Sequence, residues 1–148
     1  MILGQGVLHN NLVYPLLRRF MDQGWVTRRE SRGERGQTRL RYLITAAGKR
    51  ELVARLSAFG AQDARSSDAF RLRVGLFQLL TLHIREAILA HREKYLTERI
   101  QHLQMLQQNF PLNHYAKEVV TQFSVEMKSE LKCIRSLRST EKSQKKEP

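Results

Sequence analysis

The residues best equipped for chemistry in this chain are arginines. Arg28, Arg29, Arg32, Arg35, Arg39 and Arg41 crowd the stretch RRESRGERGQTRLR, with only Glu30 and Glu34 to oppose them. A guanidinium stays charged at any physiological pH and presents a planar fork of donors, so its chemistry is recognition of phosphate or carboxylate rather than proton transfer. Upstream, NNLVYPLLRRF places Asn10, Asn11, Tyr14, Pro15, Arg18 and Arg19 within a few turns of helix. At 100° per residue Asn11, Tyr14 and Arg18 share a face, which offers an amide, a phenol and a guanidinium, the kinds of group that read base edges and phosphates.

Reaction chemistry is poorly represented. There is no G-x-S-x-G, no H-E-x-x-H and no convincing pair of carboxylates, and the GQG at Gly4 is too short for a phosphate loop. His83, His91 and His102 are eight and eleven residues apart, not at the i,i+4 spacing of a helical metal site, and no metal or other cofactor is expected. Cys133 is the single cysteine, so no intrachain disulfide can form; beside Ile134 it reads as a small buried hydrophobe, with a redox switch the minority alternative. A reducing cytoplasm is the simplest compartment. The sequence reads as a non-enzyme.

Charge points the same way. The 148 residues carry 26 Lys and Arg against 14 Asp and Glu, a net charge of +12. Residues 1–59 hold eleven basic residues and four acids, +7 of that total. Such an excess predicts an anionic partner: nucleic acid, an acidic protein or an acidic membrane surface. The membrane is disfavoured. No apolar run is long enough to span a bilayer, no signal-peptide core opens the chain, and the basic segment is not a Lys-rich amphipathic helix. Arginine runs are often only solvated surface, and that reading stands beside the functional one.

These side chains must be held by local elements. Asn10 or Asn11 can cap a helix whose apolar face is Leu12, Val13, Leu16, Leu17 and Phe20, ending at Gly24. Pro15 is tolerated near its first turn. WVTRRE and TRLRYLIT have strand character and flank the polar, glycine-marked SRGERGQ, so they predict a hairpin. Thr45 can cap a further helix, AAGKRELVARLSAF. The segment 60–68, GAQDARSSD, reads as a linker. Residues 69–138 read as helical, and 139–148, STEKSQKKEP, as a disordered charged tail. Within 69–138, Ile84, Ile88, Tyr95, Leu96, Ile100, Leu103 and Leu106 recur at helical spacing, as do Ala116, Val120, Phe123, Met127, Leu131 and Ile134. Pro111 separates the two stripes. The expected fold is mainly α: a winged helix-turn-helix (helix, two-stranded wing, helix) followed by long antiparallel helices.

The motif residues Tyr14-Pro15, Gly24, Gly33 and Gly36, then Tyr42, Thr45 and Gly48, resemble the winged-helix half of PadR-type transcriptional regulators, and residues 8–138 resemble the longer members with a helical C-terminal dimerisation domain. The resemblance implies a winged-helix DNA-binding domain over residues 1–59, with Leu12–Gln23 as recognition helix and Ser31–Gln37 as wing. It implies contact with double-stranded DNA by Asn10, Asn11, Tyr14, Pro15, Arg18, Arg19, Arg32, Arg35, Arg39 and Arg41. It further implies a homodimer binding a palindromic operator, commonly a repressor that responds to a small aromatic effector. Ile88, Tyr95, Leu103, Val120, Phe123, Met127, Leu131 and Ile134 are the expected dimerisation stripe. The two helices that precede the recognition helix in that family have no counterpart in the first ten residues. The winged helix is therefore expected to be N-terminally incomplete, with an apolar groove left against Leu12, Leu16, Leu17 and Phe20. The alternative function is a basic helical interaction module that binds an acidic protein or RNA without reading sequence.

Overall fold

The computed structural model describes residues 10–32 and 38–144. Its elements run α1 (Asn10–Asp22), β1 (Val26–Arg32), β2 (Thr38–Ile44), α2 (Ala46–Ser57), α3 (Ser67–Val74), α4 (Leu82–Asn109) and α5 (His114–Gln144), with short 3₁₀ turns at Asp63–Arg65 and Phe77–Leu79. The fold is mainly α with one two-stranded antiparallel sheet, the helix–wing–helix order and long helices expected from the sequence. It divides into two compact units, Met1–Arg55 and Leu56–Pro148.

In the first unit, α1 ends where Gly24 adopts φ 70°, a conformation that costs glycine nothing because it has no Cβ. The Gly24 N–H donates to Met21 O at 2.9 Å and the Trp25 N–H to Phe20 O at 2.8 Å, closing the turn. Pro15 sits in the second turn of α1, so the helix forgoes one N–H there rather than losing an already free one. The strands pair in the register Val26↔Ile44, Arg28↔Tyr42, Arg29↔Arg41 and Ser31↔Arg39. Val13, Leu17, Phe20 and Met21 are half-buried, whereas Leu12 and Leu16 are 62% and 43% exposed. The helix therefore covers only part of the apolar face that its sequence supplies.

The second unit is organised around Arg92, which is 2% exposed. From α4 it reaches three other segments. Its Nε and Nη2 donate to the Glu130 carboxylate on α5 at 2.8 and 2.9 Å, Nη1 to Ala64 O at 2.6 Å, and Nη2 also to Ser67 Oγ at 2.7 Å. The guanidinium also lies 5.6 Å from the Phe70 ring and 5.4 Å from the Tyr95 ring. A buried charge is tolerable only when neutralised and hydrogen-bonded in this way. Around it Phe70, Ile88, Leu89, Leu96, Leu131 and Ile134 form the apolar core. Further along the helix pair, Arg85 bridges to Glu141 at 3.2 Å, Arg135 to Glu93 at 3.2 Å, and Arg138 to both Glu86 and Glu93. Burial alone would raise the Glu93 carboxyl, but hydrogen bonds and charge from Arg138 and Arg135 outweigh it and hold Glu93 below the ordinary carboxylate range.

Two boundaries differ from the sequence reading, and long-range pairing is the reason in each case. The stretch expected as a linker is folded into the second unit: Ala64 is 2% exposed with its carbonyl on Arg92, and Asp63 bonds Arg73 at 3.3 Å. The tail expected to be disordered from residue 139 continues α5 to Gln144, where Glu141 finds Arg85. Both segments are small and polar locally, but their partners lie on α3 and α4. Glu130→Ala strands the Arg92 charge and should cost about 3–5 kcal/mol. Replacing the pair together, Arg92→Met with Glu130→Leu, should cost less than Glu130→Ala alone. Urea unfolding followed by far-UV circular dichroism compares the two.

Candidate nucleic-acid interface

Three backbone-directed contacts fix the arginine hairpin to the helices. Thr45 N–H donates to Trp25 O at 2.9 Å, the Thr45 hydroxyl donates to Gly24 O at 2.7 Å, and it accepts from Gly48 N–H at 3.0 Å. The last bond caps α2, as expected for a threonine just before a helix. At Gly48 the α2 backbone lies directly against the residue that leads into β1. A Cβ there would lie 2.1 Å from Trp25 O and 2.9 Å from the Ile44 side chain. The Tyr-x-x-Thr-x-x-Gly spacing thus has a mechanical meaning: strand β2, cap, and a helical position where a Cβ would collide with the strand root. Trp25 makes a tilted contact with Phe20, ring centroids 5.8 Å apart at 42°, with Arg55 5.0 Å above its ring.

Strand pairing sorts the arginines onto two faces. Val26, Arg28 and Glu30 with Ile44, Tyr42 and Leu40 form one face, and at its root Val26 and Ile44 turn toward Phe20 and Leu52. There, with Trp25 and Gly48 and edged by Glu51 and Arg55, they line an apolar groove of about 200 Å³; of the α1 residues expected to be left uncovered, only Phe20 reaches it. Arg28 lies 4.0 Å from Glu30 on this face. The opposite face carries Thr27, Arg29 and Ser31 with Leu43, Arg41 and Arg39, and all three arginines are exposed. Among the described residues none of the three has an acidic partner.

Of the candidate DNA contacts, Tyr14, Pro15, Arg18 and Arg19 are exposed on α1, Tyr14 at 57%. Arg39 and Arg41 share the outward hairpin face. The side chains of Asn10, Asn11 and Arg32, and the whole of Arg35, lie outside the described residues. Arg29 is the residue that sequence reasoning passed over. Composition counted it in the cluster, but only the register places it opposite Arg41.

The candidate seam residues divide. Ile88, Leu103, Leu131 and Ile134 are buried in their own unit at 1%, 4%, 9% and 0% exposure, so the core of one chain already uses them. Helical periodicity identifies a buried stripe without saying whose side chains bury it. Tyr95, Val120 and Met127 are half-buried and Phe123 is 49% exposed. Tyr115 and Val119 stand near Phe123 on the outer side of α5, at 81% and 53% exposure. Cys133, expected to be buried, is exposed. It lines an open cleft of about 620 Å³ with Arg65, Tyr95, Phe123 and Met127. Among the described residues no group of His, Cys, Asp or Glu is placed to hold a metal, and no helix is long and apolar enough to cross a membrane.

A helix followed by a two-stranded antiparallel hairpin and a second, capped helix is the element order of a winged helix-turn-helix fold. Residues 4–54 match the family model described as "Transcriptional regulator PadR-like family", and the match spans the Tyr14-Pro15, Thr45 and Gly48 motif. No curated protein matches the chain by sequence. Among the solved structures similar to it are two. One is Bacillus subtilis PadR in complex with operator DNA, at 18% identity over 88% of this chain and 78% of that one, with a TM-score of 0.44. The other is smu.1604c from Streptococcus mutans UA159, at 20% identity over 86% and 77%, with a TM-score of 0.44. Similarity at that level places no residue and no partner.

Because the Gly48 position is closed by backbone, Gly48→Ala should destabilise the first unit by about 1–3 kcal/mol, the usual cost of overpacking. Trp25 is the only tryptophan, so its fluorescence during urea unfolding reports on this unit alone.

Proposed function

We propose that this chain is a DNA-binding transcriptional regulator, a repressor that acts in the cytoplasm as a homodimer on a palindromic operator. The observation that carries the reading is the hairpin face of Arg29, Arg39 and Arg41, outward and without acidic partners among the described residues. Next in the same unit is a helix exposing Tyr14, Arg18 and Arg19. A helix of that size fits the major groove, and an arginine-bearing wing follows the phosphates or the minor groove beside it. The PadR-like match over residues 4–54 supports the regulatory role.

Dimerisation is supported by the outer side of α5. Tyr115, Val119 and Phe123 follow each other at four-residue spacing and are left uncovered by their own chain, a self-complementary arrangement that a second copy can bury. Response to a small aromatic effector belongs to the same reading. It rests on the cleft beside Tyr95 and Phe123, whose size lies within the ~300–1,000 Å³ of ligand pockets.

Selection from a random duplex library tests the function. The chain should enrich inverted repeats with half-sites about 10 base pairs apart, and should bind the enriched duplex at least ~10³-fold more tightly than its scrambled version at one stated salt concentration. Arg18→Ala should cost ~1–3 kcal/mol on the enriched duplex and little on the scrambled one. Equal binding to both duplexes would leave a basic module without base readout. Phe123→Glu should give monomers by sedimentation and weaken binding to the inverted repeat. A wild-type chain that sediments as a monomer at micromolar concentration contradicts the dimer.

A further inference from the structure

The geometry points to an oxyanion site on the hairpin itself: the Arg29 and Arg41 guanidiniums together clasp one phosphate group, and the bound anion stabilises the strands that carry them. Naming a DNA phosphodiester as that group rests on the proposed function; the site itself does not.

Arg29 and Arg41 are direct cross-strand partners. Side chains so paired have Cβ atoms about 5 Å apart, and like charges in that position destabilise a sheet. Ser31↔Arg39 is the second pair along in the same register, so Arg39 adds a third cation to the face. Nothing among the described residues neutralises this face. Glu30 falls on the opposite one with Arg28, 4.0 Å away. The second unit treats the same problem differently. There Arg135 and Arg138 converge on the Glu93 carboxylate, and Arg138 takes Glu86 as well. A chain that supplies carboxylates to a converging arginine pair in one unit and withholds them in the other leaves the second pair for an external anion. Two planar forks on adjacent strands can present parallel N–H donors to a tetrahedral oxyanion, the geometry in which arginine binds phosphate best. The contact would straddle both strands and be blind to base sequence, so it sets position on the duplex rather than specificity.

Two measurements on the full chain test this. The first uses no DNA. Unfolding of the first unit, followed by Trp25 fluorescence, is titrated with sodium sulfate and with sodium chloride at matched ionic strength. Wild type should melt higher in sulfate, with a saturating response. Arg29→Gln/Arg41→Gln should melt higher than wild type in chloride, because the repulsion is gone, and should lose the saturating sulfate response. Arg28→Gln, on the other face, should keep it. A double variant that keeps the wild-type sulfate response, or melts lower than wild type in chloride, overturns the site. The second measures affinity for a scrambled duplex across salt concentrations. Arg29→Gln, Arg41→Gln and the double variant should each reduce the slope of log K against log salt, the double by about 0.9, the value for one phosphate. A double-variant loss near 1.8 means two separate phosphates and overturns the shared clasp. Failure of every variant and of wild type to bind DNA, with the sulfate response intact, removes the proposed function and leaves the anion site standing.

Discussion

The register of one short hairpin decides what the first unit can do, and the carbonyls of Gly24 and Trp25 set that register. Trp25 O takes the Thr45 N–H and Gly24 O takes the Thr45 hydroxyl, while Gly48 leaves room for the strand root to approach α2. With those contacts made, Val26 must face Ile44, and Arg29 then faces Arg41. A slip by one residue would turn every side chain to the other face. Arg29, Arg39 and Arg41 would turn toward the apolar Phe20–Leu52 groove, and Val26 and Ile44 would turn away from it. The apolar root and the basic outer face are therefore one constraint seen from two sides.

The second unit solves the opposite problem. Its long helices are rich in arginine and glutamate, and helix packing brings those charges together. Burying Arg92 is costly unless Glu130, Ala64 O and Ser67 Oγ all meet it. That requirement is what draws the segment around Asp63–Arg65 into the core. The bridges from Arg85, Arg135 and Arg138 extend the same logic to the end of α5. Its uncovered surface includes the apolar Tyr115, Val119 and Phe123 side of α5, so the two units expose different kinds of surface.

Much of this was legible in the sequence because the signals are local. Gly24 as a helix stop, Thr45 as a cap, the two strand-like runs and the break at Pro111 each follow from a few neighbouring residues, and the helix–wing–helix order follows from them. The strand register did not, since WVTRRE and TRLRYLIT alternate too weakly to fix which arginines share a face, and so Arg29 was missed. Nor did the burial of Arg92, whose carboxylate lies on another helix. The stripe through Ile88, Leu103, Leu131 and Ile134 was visible as apolar periodicity, but periodicity is the same for an intrachain core and for a seam between copies. Surface chemistry of long-range origin was hidden for the same physical reason throughout: it depends on which segments meet.

On the proposed function, the first unit meets nucleic acid through α1 and the outward hairpin face. Backbone amide chemical shifts of the full chain, followed during titration with a duplex, test it most directly. The largest changes are expected at Tyr14–Arg19 in α1 and at Arg29, Arg39 and Arg41 on the strands, with the Arg92–Glu130 core of the second unit undisturbed. Changes concentrated in α4 and α5, with α1 and the hairpin silent, would contradict it.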